Sequence, residues 1–93
     1  MVSILARFQP ANLTTELYED VNRRLDDAGL NPPDGRELHV CFGEEGQLRV
    51  SEVWESREKM DAFGEKLMPI LGEAGVEFDK PPEVMPVVRV ERP

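Results

Sequence analysis

Apolar residues along this chain follow two rhythms, a strict alternation in some stretches and a recurrence every three or four residues in others. Val2 to Phe8 is a short apolar run broken by Ser3 and Arg7, which predicts a buried strand. Gln9-Pro10-Ala11-Asn12 ends it. Leu13, Leu17, Val21, Leu25 and Ala28 then recur at helical spacing, with Thr14 placed to cap the helix and Glu16 in its first turn. Gly29 suits the left-handed stop of that helix, and Asn31-Pro32-Pro33-Asp34-Gly35 prevents its continuation.

Leu38, Val40 and Phe42 alternate with Glu37, His39 and Cys41, the pattern of a second strand. Gly43-Glu44-Glu45-Gly46 is a hairpin turn, with Glu44 and Glu45 expected as a solvated tip. In the third strand Leu48, Val50, Glu52 and Trp54 share one face, and Arg49, Ser51, Val53 and Glu55 share the other. A second helix follows Ser56, its apolar stripe carried by Met60, Phe63 and Leu67. Pro69 lacks an N–H, so it is expected to end this helix or open a second short one, closed by Gly72 and Gly75. Lys80-Pro81-Pro82-Glu83 is a rigid connector. Val84 to Val90 is the expected last strand, and Pro86 requires it to start late or to lie at a sheet edge.

The resulting order, β-α-β-β-α-β, predicts an α+β fold: a single ferredoxin-like domain over residues 1–93, with two helices on one face of an antiparallel sheet. Several strands are apolar on both faces, since Leu5 opposes Ile4 and Phe8, and Val53 opposes Val50 and Trp54. The second face needs a cover, and the sheet of an identical subunit is the simplest one. A homodimer is therefore expected, although the pattern does not say which face meets the partner.

Charge narrows the partners. Eleven Lys and Arg stand against 19 Asp and Glu, giving a net charge of −8, which opposes binding to nucleic acid or to an anionic membrane. The lone Cys41 excludes an internal disulfide and a multi-cysteine metal site, and its strand neighbours Val40 and Phe42 predict a buried, inert thiol. No segment is long and apolar enough to span a bilayer, and the N-terminal stretch lacks the basic start of a secretion signal, so a cytoplasmic location is expected.

Few residues carry candidate chemistry. His39 is the sole histidine and the natural general acid or base near neutral pH; the plainer reading is a hydrogen-bonded strand histidine. Glu52 interrupts an apolar face, where a buried acid would move a proton or else pair with an arginine such as Arg7 or Arg49. Trp54 beside it is either a wall for a flat ligand or the main core aromatic. Phe8, Phe42, Phe63 and Phe78, with Met60, Met68 and Met85, are the further apolar wall candidates, although helical or strand spacing accounts for most of them as core. Tyr18 on the first helix would hold a substrate phenol by a hydrogen bond; a partly exposed helix tyrosine is the plainer reading. There is no Gly-x-Ser-x-Gly elbow, no phosphate-binding glycine loop and no spaced set of metal ligands.

The stretch from Gly46 to Ser56, Gly-Gln-Leu-Arg-Val-Ser-Glu-Val-Trp-Glu-Ser, and the helix bearing Met60, Phe63 and Leu67 resemble the dimeric α/β-barrel superfamily, and within it the antibiotic-biosynthesis-monooxygenase-like group. The resemblance implies a homodimer whose sheets pack as a barrel, with a small cleft between sheet and helices in each subunit. It implies functions ranging over cofactor-free oxidation of phenols, haem degradation, lactone isomerisation and plain ligand binding. Haem-degrading relatives carry an Asn on the first strand and a Trp and a His on the second helix. Here Val2 to Phe8 has no Asn, and Phe63 and Glu73 stand where the Trp and the His would be, which speaks against that activity. The expectation is a cofactor-independent enzyme or binding protein for an apolar or aromatic metabolite. His39 and Glu52 would be its catalytic candidates, and Trp54, Phe63, Tyr18 and Phe8 would contact the ligand. The alternative is a non-catalytic dimeric scaffold whose acidic surface meets a basic partner.

Overall fold

In the computed structural model, residues 3–93 are described. Val2, the first residue of the expected first strand, lies outside the described residues. The elements run β1 (Ile4–Phe8), α1 (Thr15–Asp27), β2 (Arg36–Phe42), β3 (Arg49–Trp54), α2 (Arg57–Ala74) and β4 (Glu83–Pro86). The sheet order is β2-β3-β1-β4, and each neighbouring pair is antiparallel. This is the α+β, ferredoxin-like plan expected from the sequence.

Local chemistry sets the helix boundaries. Thr14 and Ser56 both take extended backbone, and their hydroxyl oxygens accept from the N–H of Leu17 and Lys59 respectively. Each satisfies one of the donors that a helix start leaves free. Gly75 ends α2 at φ 91, a left-handed conformation that glycine adopts without a Cβ clash.

Two elements differ from the sequence expectation. Pro69 lies inside α2, which runs unbroken to Ala74. The residue is on the exposed side of the helix, so the carbonyl that loses its partner is within reach of water. Leu67, Ile70, Leu71 and Ala74 stay packed on the core from either side of it. The last strand ends at Pro86 rather than at Val90, because its partner β1 begins at Ile4, opposite Pro86. One further bond, from Val87 N–H to Ser3 O, closes the pairing, and Val88 is fully exposed.

The two helices cover the face of the sheet that carries Ala6, Glu52 and Trp54. Trp54 is the largest fully buried side chain, and its ring lies 5.6 Å from that of Phe63 on α2. Such a pair adds about 0.5–1.5 kcal/mol beyond the area it buries. The loop before α1 is tied to the segment after α2. Asn12 Nδ2 donates to Gly75 O, Glu77 N–H donates to Asn12 Oδ1, and Ala11 N–H donates to Glu77 O. The opposite face of the sheet carries Leu5, Leu38, Val40, Phe42, Val53 and Met85, and among the described residues neither helix lies over it.

Candidate functional site: a buried carboxylate at the head of an apolar cavity

The pairing of β2 with β3 contains one irregularity, and the site depends on it. Arg36 pairs with Trp54 and Leu38 pairs with Val53, so Glu37 is an extra residue in β2. Regular alternation would put Arg36 with Leu38 on the open face. The bulge turns Arg36 onto the helix-covered face, with His39, and brings its guanidinium to Glu52. The site thus takes Tyr18 from α1, Arg36 and His39 from β2, and Glu52 and Trp54 from β3.

Glu52 is 5% exposed and accepts from three donors. Arg36 Nη1 donates to Oε2 at 3.1 Å, and Trp54 Nε1 donates to Oε1 at 3.1 Å. His39 Nδ1 lies 2.6 Å from Oε2. An ionised carboxylate only accepts, so the proton of a neutral His39 resides on Nδ1. That leaves Nε2 as an acceptor, and the Tyr18 hydroxyl lies 2.6 Å from it. The phenol and imidazole rings are nearly parallel, 11° apart in plane, with centroids 5.9 Å apart. The result is a continuous line, Tyr18 to His39 to Glu52, anchored at its buried end by Arg36 and Trp54.

This line faces a cavity of about 70 Å³ between the sheet and the helices. Phe8, Tyr18, His39, Glu52 and Phe63 all lie on its wall, joined by Arg36, Asn22 and a shell of Leu, Val and Phe side chains. Trp54 does not. Expected as a ligand wall, it is 1% exposed and stands behind the cavity, spending its indole N–H on Glu52. Phe42 and Met85 also miss the site, since their strand positions put them on the open face. A second hollow of about 300 Å³, bounded by Met68, Asp79, Lys80, Pro81 and Pro82, shares Phe8 and Phe78 with the first.

The expected partners of Glu52 need correction. Arg7 and Arg49 lie on the opposite face of the sheet, and Arg7 sits 3.8 Å from Glu83 instead. Arg36 takes that role, and sequence alternation alone gave no sign of it. The available signal was indirect, a buried acid that required a cation. Glu45 is exposed at the turn as expected, and it also makes a contact that the sequence did not suggest. Its carboxylate accepts from the Thr15 hydroxyl and N–H, both at 2.6 Å, and so ties the β2–β3 turn to the start of α1. Those hydrogen bonds, the hydroxyl's first, stabilise the carboxylate and hold the Glu45 pKa below the ordinary range. Cys41 is half-buried, and burial pushes its thiol upward. Among the described residues, no group of three or more His, Cys, Asp or Glu side chains is placed to hold a metal ion, and no helix is long and apolar enough to cross a membrane.

The fold recurs among solved structures. A variant of SnoaB, a cofactor-independent oxygenase from Streptomyces nogalater, superposes with a TM-score of 0.62 at 15% identity over 96% of this chain and 94% of that one. A candidate antibiotic biosynthesis monooxygenase from Chloroflexus aurantiacus gives a TM-score of 0.60 at 13% identity, over 97% and 95%. A conserved protein from Methanosarcina mazei gives 0.57 at 18% identity, over 94% and 92%. No family model matches the chain, and no curated protein matches it in sequence. The chain therefore has the ferredoxin-like fold of the antibiotic-biosynthesis-monooxygenase-like structures.

Proposed function

We propose that this protein is a homodimeric enzyme that takes an apolar or aromatic acid, a phenol or an enolisable carbonyl compound, and removes a proton from it without a cofactor. The observation that carries the reading is the buried Glu52, held by Arg36 and Trp54 and bonded to His39 on the wall of an apolar cavity. Burying two ions costs several kcal/mol each before their attraction offsets it, so a purely structural sheet gains little from this arrangement. A base needs it, because a fixed carboxylate orients the imidazole and stabilises the imidazolium that forms. Phe8, Tyr18 and Phe63 would contact the ligand. The anion so formed either gives its electrons to dioxygen or takes a proton back at another atom. SnoaB, of like fold, is a cofactor-independent oxygenase, which supports the first route.

The test is a screen of single-ring phenols and enolisable carbonyl compounds, scored for dioxygen uptake and for deuterium exchange. Activity in the wild type that falls by about 100-fold or more in His39→Gln supports the reading. A wild type inert toward the whole screen, or a His39→Gln variant of undiminished activity, overturns it.

A further inference from the structure

Both nitrogens of His39 are already engaged, Nδ1 by Glu52 at 2.6 Å and Nε2 by the Tyr18 hydroxyl at 2.6 Å. A substrate in the cavity therefore finds no free nitrogen on the imidazole. It does find Tyr18, which lies on the same wall and whose hydroxyl is the end of the hydrogen-bonded line remote from Glu52. From this geometry we infer that Tyr18 is the catalytic residue that touches substrate, that His39 acts through it, and that the substrate is a compact carbon or oxygen acid. The inference rests on the proposed function and assigns the contact within it.

The proton balance is simple. A C–H or O–H proton of the substrate moves to Tyr18 Oη as the proton on that oxygen moves to His39 Nε2. The substrate becomes an anion, Tyr18 remains a neutral phenol, and His39 becomes an imidazolium paired with the Glu52 carboxylate. Return of the proton by the same path restores the site. Arg36 and Trp54 keep Glu52 in place and touch neither moving proton. Size limits the substrate. The cavity of about 70 Å³ is well below the ~150 Å³ that holds benzene in a protein interior, so a ring enters only if the wall yields. The wall shared with the neighbouring hollow, Phe8 and Phe78, is where yielding creates room.

Nitroethane, a compact carbon acid, is the probe. Loss of its methylene proton signal in deuterium oxide reads proton abstraction directly. The wild type should accelerate exchange, and Tyr18→Phe and His39→Gln should both return it to the protein-free rate. Exchange that survives in Tyr18→Phe but not in His39→Gln overturns the role of Tyr18 and leaves the proposed function standing. A wild type without effect on nitroethane overturns the compact-acid assignment, while the phenol and carbonyl screen judges the function separately. Tyr18 is the only tyrosine in the chain, so biosynthetic 3-fluorotyrosine replaces it alone and guards against a phenylalanine variant that fails to fold. The more acidic phenol should move the pH profile of exchange to lower pH, and an unmoved profile overturns the inference.

Discussion

A carboxylate with 5% of its surface exposed is stable as an anion only while its donors stay in place. Replacing Glu52 by Leu leaves the Arg36 guanidinium buried without its partner. The expected loss is about 3–5 kcal/mol in urea unfolding, as for other broken buried ion pairs. Adding Arg36→Met to Glu52→Leu should recover about 1–4 kcal/mol of it, since an apolar pair of similar volume suits a buried site. The double variant separates stability from chemistry, being folded but inert toward the carbon acid. Cys41 makes a smaller prediction. Burial raises its thiol above the ordinary 9.0, so little thiolate exists at pH 8, and a disulfide reagent should label it more slowly in the folded than in the urea-unfolded protein. Glu52 was legible in the sequence because it interrupts an apolar strand face, and His39 because it is the sole histidine. Arg36 was not, because the residue that turns it inward, Glu37, leaves no mark on the pattern.

At the scale of elements, polar contacts at the ends decide where each one begins. Glu45 reaches from the β2–β3 turn to Thr15 at the start of α1 and so links the hairpin that bears His39 and Glu52 to the helix that bears Tyr18. The Thr15 bonds lower the Glu45 value below the ordinary 4.5. The stabilisation is therefore complete above 4.5 and is lost as pH falls through the lower folded-state value. Glu45→Gln should thus lower the urea midpoint at pH 7, and the difference from wild type should vanish in acid once the carboxyl of Glu45 is protonated. Both helix caps, Thr14 and Ser56, were readable from residue type and position. The continuity of α2 through Pro69 was not, because the local rule for proline takes no account of which side of the helix faces water.

For the whole molecule, the open face of the sheet is the surface that calls for a partner. Leu38 is 48% exposed, Val40 42%, Phe42 40% and Met85 40%, all on this one face. A cluster of exposed apolar side chains of this kind, interspersed with Arg7, Arg49 and Glu83, on a 93-residue chain favours association with a copy of itself. Light scattering should return twice the mass of the chain. Val40→Lys should shift the protein to monomer while leaving the Tyr18–His39–Glu52 line on the other face in place. A monomeric wild type would remove the dimer from the proposed function and leave the cavity chemistry to be judged by itself.

Alternation, helical spacing, caps and turn residues are local, and the sequence carried them: the element order, the ferredoxin-like plan, the two-faced sheet and the candidates His39 and Glu52. The tertiary structure decided what depends on register and on distance through space. An extra residue in one strand turned Arg36 toward Glu52, and the approach of α1 to β2 set Tyr18 against His39. Burial kept Trp54 behind the cavity instead of in it. These are contacts between residues 16 to 21 positions apart or across strands, and no pattern along the chain encodes them until the sheet has formed.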